Sequence, residues 1–293
     1  MTQPSKYVQD YHSLSVDDDR MGLHFTANIW MYVSGWNKYT NAEYVNLMHA
    51  IAKLMKLGKN ESVPDIFYIK DHPKVDPMEP FYKGSMRRSF AGRGSPADIR
   101  DTARLAYVAL NCNGMAPLTY VEGWFGQDCN AFVGNFQGIS PSHGIREYAK
   151  GYADPTEIKG ATADILETAP LLPLPPVAHL HQIKAGTVIV THEPGGKRPF
   201  RHIALVDTFH NMGSGKALIG VAEWGEKGKS WAVHAKPVEV VNLVEVDDHP
   251  EMKGKHLIGW YEKNKTHFRF FLSADSLGSF GPRGWHVGNK EGI

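Results

Sequence analysis

A helical pattern of apolar and polar positions is clearest between residues 41 and 58. Apolar side chains recur there every three or four positions, which places them on one face of a helix. Asn41 offers a start cap and Gly58 a stop, with lysines in the last turn, where the helix dipole favours positive charge. We therefore predict a helix whose apolar face comprises Tyr44, Leu47, Met48, Ile51, Leu54 and Met55.

A second helix is predicted to begin after Ser95. Ser95 is a suitable N-cap, Pro96 suits the first helical position, and Asp98 completes a capping-box spacing. We expect this helix to end near Gly114 and to present an apolar face made of Ile99, Ala103, Tyr107 and Leu110.

The second half of the chain carries strand patterns instead. Runs of β-branched and aromatic residues alternate with Gly, Pro, Asn and Lys, which is typical of antiparallel connections. We predict strands within residues 185–193, 201–209, 216–225, 231–246 and 256–262. Helices followed by strands in series indicate an α+β fold, with an antiparallel sheet packed on the N-terminal helices.

Segments outside these patterns divide the chain. Residues 1–20 are polar and are predicted to be a flexible tail, and residues 21–94 form a helical and extended region of unknown role. Within that region, residues 22–36 predict a strand or a buried extended segment, and the Pro- and Gly-containing residues 59–94 predict loops with a domain boundary. Residues 95–293 are then one domain, with a Pro-rich surface insertion near residues 138–182.

Composition excludes several classes of function. The 293 residues include 32 basic and 31 acidic side chains, so the net charge of +1 argues against nucleic acid or an anionic membrane as partner. No apolar run approaches the ~18 residues of a membrane span. The N-terminus lacks the pattern of a Sec signal peptide, so we expect a protein made in the cytoplasm. Two cysteines cannot form a disulfide framework.

Cys129 has the position of a reactive thiol. It follows Asp128 directly and precedes an apolar helical pattern, so it is predicted to lie at a helix start. Unpaired backbone N–H groups and the helix dipole stabilise a thiolate there. A lone cysteine in an apolar context is more often a buried packing residue, and that alternative stays open. Cys112, near a helix end, is predicted to be structural.

A histidine and a glutamate on successive strands complete a candidate site. A nucleophilic cysteine needs a base, and His202 opens a predicted strand on which it shares a face with Ala204 and Val206. That face is expected to turn toward the helices. Glu223 stands among apolar residues of the next strand, where a carboxylate requires a partner, and His202 is the natural one.

These residues, taken in order, resemble a known family. Pro-Leu-Thr-Tyr at 117–120, Asp-Cys at 128–129, and the strand sequences at 184–190 and 201–206 resemble the NlpC-type cysteine peptidases and the related CHAP amidohydrolases. The resemblance covers about residues 95–246. It implies a papain-like core without cofactor or metal, in which Cys129 is the nucleophile, His202 the base and Glu223 the residue that orients the base.

The resemblance also implies residues that contact substrate. Tyr120 matches a tyrosine that lines the family's substrate site, and Asp128 matches its Asp-Cys pair. Asn130 stands where the family usually has serine, so it is expected to contact a substrate that differs from the usual one.

The implied function is hydrolysis of amide bonds in the peptide part of bacterial peptidoglycan. Such an enzyme would be exported by a specialised secretion system as an antibacterial effector, with an immunity or inhibitor protein as partner, or released as a phage lysin. Two alternatives remain open. One is a protein-modifying acyltransferase or deamidase that uses the same triad, and the other is a non-enzymatic binding module.

Two further patterns are weaker. Residues 211–217 resemble a phosphate-binding loop but lack two of its positions, so we predict a hairpin turn. His179, His181, His192 and His210 have no carboxylate at a matching spacing, so we expect no metal site.

Overall fold

The computed structural model describes residues 3–33, 38–138, 174, 176–192, 200–227, 230–235, 238–246, 256–263 and 266–273. Its α-helices are α1 (Pro4–His12), α2 (Lys38–Leu54), α3 (Lys83–Phe90), α4 (Pro96–Leu110), α5 (Pro117–Trp124) and α6 (Cys129–Gln137). The strands of the N-terminal half are β1 (Leu14–Asp18), β2 (Leu23–Ala27), β3 (Met31–Tyr32), β4 (Ile66–Phe67), β5 (Phe81–Tyr82) and β6 (Gly126–Gln127). Those of the C-terminal half are β7 (Val188–His192), β8 (Phe200–Gly213), β9 (Lys216–Lys227), β10 (Ser230–Ala235), β11 (Glu239–Val246), β12 (His256–Tyr261) and β13 (His267–Phe271). The α+β class is confirmed.

Six of the C-terminal strands close into an antiparallel barrel. Their order is β9–β11–β12–β13–β7–β8, and β8 pairs back with β9 to complete the ring. The first half of β9 pairs with β11, and its second half, from Ala222 to Lys227, pairs with β10. Closure lets each barrel strand pair on both sides, which satisfies backbone groups that an open sheet would leave at its edges.

Alternate side chains of the barrel strands serve two cores. On β8, Ala204 and Val206 belong to the core inside the barrel, whereas Ile203 and Leu205 belong to the core shared with the helices. This alternation follows from the two-residue period of a strand. The barrel core comprises Val177, Ile183, Ile189, Ala204, Val206, Ala217, Ile219, Val221, Val241, Leu243, Leu257, Phe268 and Phe270.

The N-terminal residues are part of the folded core, so the prediction of a flexible tail over residues 1–20 was wrong. Residues 4–12 form α1, and residues 14–18 form β1, which pairs with β2. Tyr7 and Tyr11 are buried and pack on Phe132 of α6, and Tyr11 also meets Trp224 of β9. The polar residues that suggested a tail cover the outside of an amphipathic helix whose aromatic face joins the helices to the barrel.

The loops predicted between residues 59 and 94 are present over most of residues 59–80, but residues 81–90 form regular structure, and packing crosses the predicted boundary. Residues 83–90 form α3, in which Arg88 donates to both carboxylate oxygens of Asp98, at 3.0 and 2.6 Å. Asp98 is fully buried and also forms the capping box of α4 with Ser95, as predicted. The ion pair crosses the proposed boundary, and one hydrophobic core includes residues from 7 to 271. The buried Asp98 carboxylate therefore holds Arg88 in place, in a segment whose sequence predicts a loop.

Other local predictions have mixed outcomes. The helix predicted from residue 41 is α2, with Leu47 and Ile51 buried, but it begins at Lys38, so Asn41 is not its cap. The predicted strand runs became β7 to β12, and the hairpin predicted at residues 211–217 joins β8 to β9 through left-handed residues 213–215. Only β13 was missed among the barrel strands.

Most of the Pro-rich segment predicted as a surface insertion lies outside the described residues. Residues 178–182, its last part, are partly or largely exposed, as predicted, but Val177 just before them is not. Val177 is buried in the barrel core, where its N–H donates to Phe270 O at 2.9 Å and its carbonyl accepts from Leu257 N at 2.7 Å.

None of the described helices combines the length and the apolar character that a bilayer span requires.

Candidate active site

α6 begins at Cys129, as predicted, and Asp128 is its N-cap. The Asp128 carboxylate accepts the Ala131 N–H at 2.7 Å, which satisfies one of the unpaired donors of the first turn. Phe132 and Val133 follow on the buried face. The capped start therefore places the Cys129 thiol, 7% exposed, at the positive end of a helix anchored in the core.

Two glycines fix the chain just before this helix. β6 pairs in parallel with β3, and a Cβ on Gly126 would overlap Met31 O. A Cβ on Gly92, which has a left-handed φ of +71°, would overlap Val33 O. Sequence reasoning missed both positions, although a glycine three residues before Cys129 is a signal that a close backbone approach can explain.

His202 lies third in β8, beside an irregularity in its pairing with β7. The register passes from Thr191 opposite His202 to His192 opposite Phe200, so β8 has one additional residue there. Bulges of this kind bend a strand and re-aim the neighbouring side chains. Sequence patterns do not show the bulge, because it depends on the partner strand.

The expectation about the face of His202 was therefore only half correct. Ala204 and Val206 line the barrel and do not turn toward the helices. His202 nevertheless lies close enough to Cys129 for the sulfur to raise the pKa of its ring. The strand start, and not a common face along the strand, brings the imidazole to the thiol.

Cys129, His202 and Glu223 thus form a chain of polar contacts. The His202 Nε2 lies 2.9 Å from Glu223 Oε2, so the contact predicted between these two residues is present. The side chain of Glu223 is 4% exposed and that of His202 is 24% exposed. Because Nε2 is engaged by Glu223, the other ring nitrogen, Nδ1, is the one left to exchange a proton with Cys129.

The surroundings of His202 favour its charged form. Burial alone would lower the pKa of the imidazole, but the hydrogen bonds to Cys129 and Glu223, together with their charges, raise it to about 9. Opposite charges and hydrogen bonds to the charged form act in the same direction here. At neutral pH the ring is therefore an imidazolium between two groups that carry or can acquire negative charge.

Asp128 and Asn130 flank the cysteine, as the sequence requires, but they differ in what engages them. Asp128 is occupied by capping, and burial raises the pKa of its carboxyl to about 6 against hydrogen bonds from Ala131 and Asn130 and the charge of Arg93. The side-chain oxygen of Asn130 is enclosed and accepts none of the hydrogen bonds found among the described residues. Asn130 thus differs from Asp128 in having a buried side-chain oxygen without a hydrogen bond among the described residues.

Tyr120 is buried away from solvent, contrary to its expected place in the substrate site. Its ring is 0% exposed and packs on Phe125, and its hydroxyl donates to Glu43 Oε1 at 2.7 Å. Burial first, and then the Glu43 carboxylate, hold the pKa of Tyr120 well above its usual range. A tyrosine matched by motif therefore stabilises the helical core and has no hydroxyl to offer a substrate.

Cys112 has the opposite surroundings from Cys129. It is 1% exposed and lies in a short 3-10 turn after α4, between Asn111 and Asn113, all three with left-handed φ angles. Burial, and then the charge of Glu43, raise the pKa of the Cys112 thiol to about 11. This thiol is held in its neutral form.

Two of the histidines considered as metal ligands stack on each other. His179 and His181 stack at 5.5 Å between ring centres, and His179 Nδ1 lies 3.3 Å from Glu245 Oε2. Across the part of the chain that the structure describes, no group of three or more His, Cys, Asp or Glu side chains has a metal-binding arrangement.

No protein-family model matches this chain, and no curated protein or solved structure matches it either. Chemistry at this site is therefore inferred from its own geometry.

Proposed function

We propose that this protein is a cysteine-dependent amidohydrolase that cleaves amide bonds in the peptide part of bacterial peptidoglycan. The observation that carries the proposal is that Cys129, at the start of a capped helix, lies beside His202, whose ring is hydrogen-bonded to Glu223. A nucleophile, a base within reach and a third residue that orients the base are what covalent amide hydrolysis requires.

The first half of the reaction is acylation. The Cys129 thiolate attacks the amide carbonyl carbon and forms a C–S bond, while the negative charge moves to the carbonyl oxygen. As the intermediate collapses, the C–N bond breaks and the His202 imidazolium gives its proton to the leaving amine. Glu223 holds the ring in place and stabilises its charge before this transfer.

The second half is hydrolysis of the thioester. Neutral His202 takes a proton from water, the resulting hydroxide attacks the carbonyl, and the C–S bond breaks to give a carboxylic acid and the Cys129 thiolate. The protonated ring is then ready for another cycle. Because Asp128 accepts the Asn130 and Ala131 N–H groups, the Cys129 N–H is the first-turn donor best placed for the oxyanion.

The substrate class rests on the resemblance to NlpC-type and CHAP enzymes, together with the same order of cysteine, histidine and acid. Asn130 is the residue that we assign to substrate contact, because it directly follows Cys129 and the resemblance places a substrate-site residue there. Tyr120 has no part in the proposal, since Glu43 occupies its hydroxyl. A papain-like core is the corresponding fold proposal, in which the barrel strands β8 and β9 present the base and the acid.

The test is incubation with purified sacculi and mass spectrometry of the released muropeptides. The expected result is new amine and carboxyl termini with the wild type and with Cys112→Ala, and none with Cys129→Ser. Release of fragments by Cys129→Ser, or no release by a wild type whose Cys129 is reactive, would contradict peptidoglycan hydrolysis. In the second case, an acyl adduct or a deamidated glutamine in a cellular protein would identify the transferase or deamidase alternative.

Delivery follows from the substrate. Peptidoglycan lies outside the bacterial cytoplasm, so we propose export by a specialised secretion system, with an inhibitor protein to protect the producing cell, or release as a phage lysin. Expression directed to the periplasm is expected to lyse the host, whereas the same level in the cytoplasm is not.

A further inference from the structure

Gly225 lies on β9 two residues after Glu223, and it is buried. β8 and β9 pair as far as Leu205 opposite Ala222, and beyond this pair a Cβ on Gly225 would lie 3.4 Å from His202 Cε1. Side chains on one face of a strand recur every two residues, so a side chain at position 225 would share the face of Glu223. Gly225 therefore adjoins both members of the base and acid pair.

The side chains of Glu223 and His202 occupy the space next to Gly225. A Cβ on Gly225 would lie 3.0 Å from Glu223 Oε1, 3.4 Å from His202 Cε1 and 3.5 Å from Glu223 Cδ. Ordinary contacts between carbon and oxygen are wider than the first of these distances. A Cβ at position 225 would therefore push the Glu223 carboxylate by a few tenths of an ångström, and a larger side chain would also press on the adjacent His202 ring.

The backbone conformation at position 225 does not require a glycine. Its φ lies outside the left-handed region, so other residues could adopt its backbone conformation. Glycine inside a strand is destabilising relative to alanine, because glycine loses the most conformational freedom on folding. Glycine in a strand commonly marks close approach of another group, and here that group is the Glu223 carboxylate.

Another glycine of the same strand has a different reason. A Cβ on Gly220 would lie 2.5 Å from Thr208 Oγ1 on β8, which is a packing contact far from Cys129 in the barrel. Of these two β9 glycines, Gly225 is thus the one whose missing side chain bears on the site.

We propose that Gly225 is a positioning residue, and that its lack of a side chain lets Glu223 hold His202 in the orientation that serves Cys129. This inference rests on the proposed function for its chemistry, but the geometry it concerns is independent of the substrate. Gly225 acts through Glu223 and His202 and touches no reacting atom.

The test is a size series, Gly225→Ala and Gly225→Val, in a Cys112→Ala background so that Cys129 is the single thiol. The readout is the rate of Cys129 alkylation by iodoacetamide from pH 5 to pH 10. Losing the Glu223 contact weakens the imidazolium, so the thiolate forms only at higher pH. We expect the labelling rate at pH 6 to fall several-fold in Gly225→Ala and about 10-fold or more in Gly225→Val. A misplacement of about 1 Å in an active site can lower a rate by about 10²-fold.

Melting temperature distinguishes positioning from loss of fold. Alanine and valine have higher strand propensity than glycine, so both variants are expected to melt no more than a few degrees below the wild type. Gly123→Ala is the control, since a Cβ at Gly123 meets no atom within 4 Å, and it should label like the wild type. A folded Gly225→Val with the wild-type pH profile overturns the proposal. If Gly225→Val does not fold, an unchanged profile in Gly225→Ala overturns it.

A double variant tests the route of the effect. In Glu223→Ala the carboxylate that Gly225 accommodates is gone, so adding Gly225→Ala should slow labelling by no further amount. An additive loss would mean that position 225 acts elsewhere.

This result is separable from the proposed function. Dependence of Cys129 labelling on position 225, together with no action on sacculi, would support the positioning role and refute the substrate. Cleavage of sacculi at the wild-type rate by Gly225→Val would refute the positioning role and leave the hydrolase proposal intact.

Discussion

The two cysteines of this protein show how local electrostatics decide the state of one side chain. Both are nearly buried, at 7% exposed for Cys129 and 1% for Cys112. Cys129 lies at the N-terminus of α6 beside His202, whose pKa is raised to about 9, whereas Cys112 lies near the Glu43 carboxylate, which helps to raise the pKa of the Cys112 thiol to about 11. Burial alone therefore does not separate a structural thiol from a reactive one; the sign of the neighbouring charge does.

Removal of each thiol in turn is expected to show the largest difference between the two cysteines. Cys129→Ala is expected to lower the release of muropeptides by roughly 10⁴-fold or more, because loss of the nucleophile leaves only binding and the oxyanion site. Cys112→Ala should stay within about 2-fold of the wild type. The amount of fragment released from sacculi by each variant is the measurement. Equal losses in both variants would refute the assignment of Cys129 as the nucleophile.

Alkylation compares the thiols without a substrate. At pH 6 Cys129 is expected to react with iodoacetamide at least about 10²-fold faster than Cys112, since only the thiolate is nucleophilic and the pKa of Cys112 is about 11. Peptide mapping after brief labelling gives both rates in one sample. Unfolding in guanidinium is the control, because it should bring the two rates together. Similar slow rates in the native protein would favour the non-enzymatic alternative.

Glu223→Gln removes the negative charge beside His202. Glutamine retains the size and one oxygen, but its neutral amide no longer stabilises the His202 imidazolium. We expect turnover to fall by about 10² and the alkaline limit of activity to move from near pH 9 toward lower pH. The pH profile of muropeptide release tests both effects. Loss of activity with an unmoved alkaline limit would mean that Glu223 does not act through His202.

Much of the site was predictable because its signals are local. The helix start at Cys129 was predicted from the apolar helical pattern after it, and the base and the acid were predicted on successive strands. The cap by Asp128 is also a local signal, but it was not predicted. The contact of His202 with Glu223 was predicted from the cost of burying an isolated carboxylate. Such signals need only neighbouring residues or neighbouring strands.

The remainder depends on contacts distant in sequence. Barrel closure by β8 and β9 needs strands from residue 188 to residue 271, and no local pattern states which edges meet. Helix α1 looks polar until Tyr7 and Tyr11 meet α6 and β9, and α3 looks like a basic loop until Arg88 meets Asp98. Gly225 is likewise unremarkable in sequence, because its reason is a carboxylate positioned by tertiary structure.

A smaller effect concerns stability and the charge on His202. Its pKa is raised from 6.5 to about 9 in the folded state, so the folded protein binds this proton more tightly than the unfolded chain. The resulting stabilisation is present in full below pH 6.5 and is lost as pH rises through about 9, with an upper limit of about 3 kcal/mol. Urea unfolding between pH 6 and pH 10 measures it.

His202→Gln is the reference for this experiment, and both proteins should carry Cys112→Ala. Cys112 would otherwise add its own loss of stability as pH rises toward about 11. The difference in free energy of unfolding between the two proteins should narrow above pH 9. A difference that is constant with pH would show that His202 is not the titrating group.

The smallest expected effect separates the structural role of Asp128 from the chemistry beside it. Its carboxylate caps α6, and burial raises its pKa to about 6. A raised pKa means that its contribution to stability is fully present below about pH 4 and is lost as pH rises through 6. Asn is also a good cap and carries no charge, so Asp128→Asn should match or exceed wild-type stability at pH 7, whereas Asp128→Ala should lose about 1 kcal/mol. Urea titrations at pH 4 and pH 7 measure these differences. An Asp128→Asn variant that is as stable as the wild type but inactive would instead assign the carboxylate to the reaction.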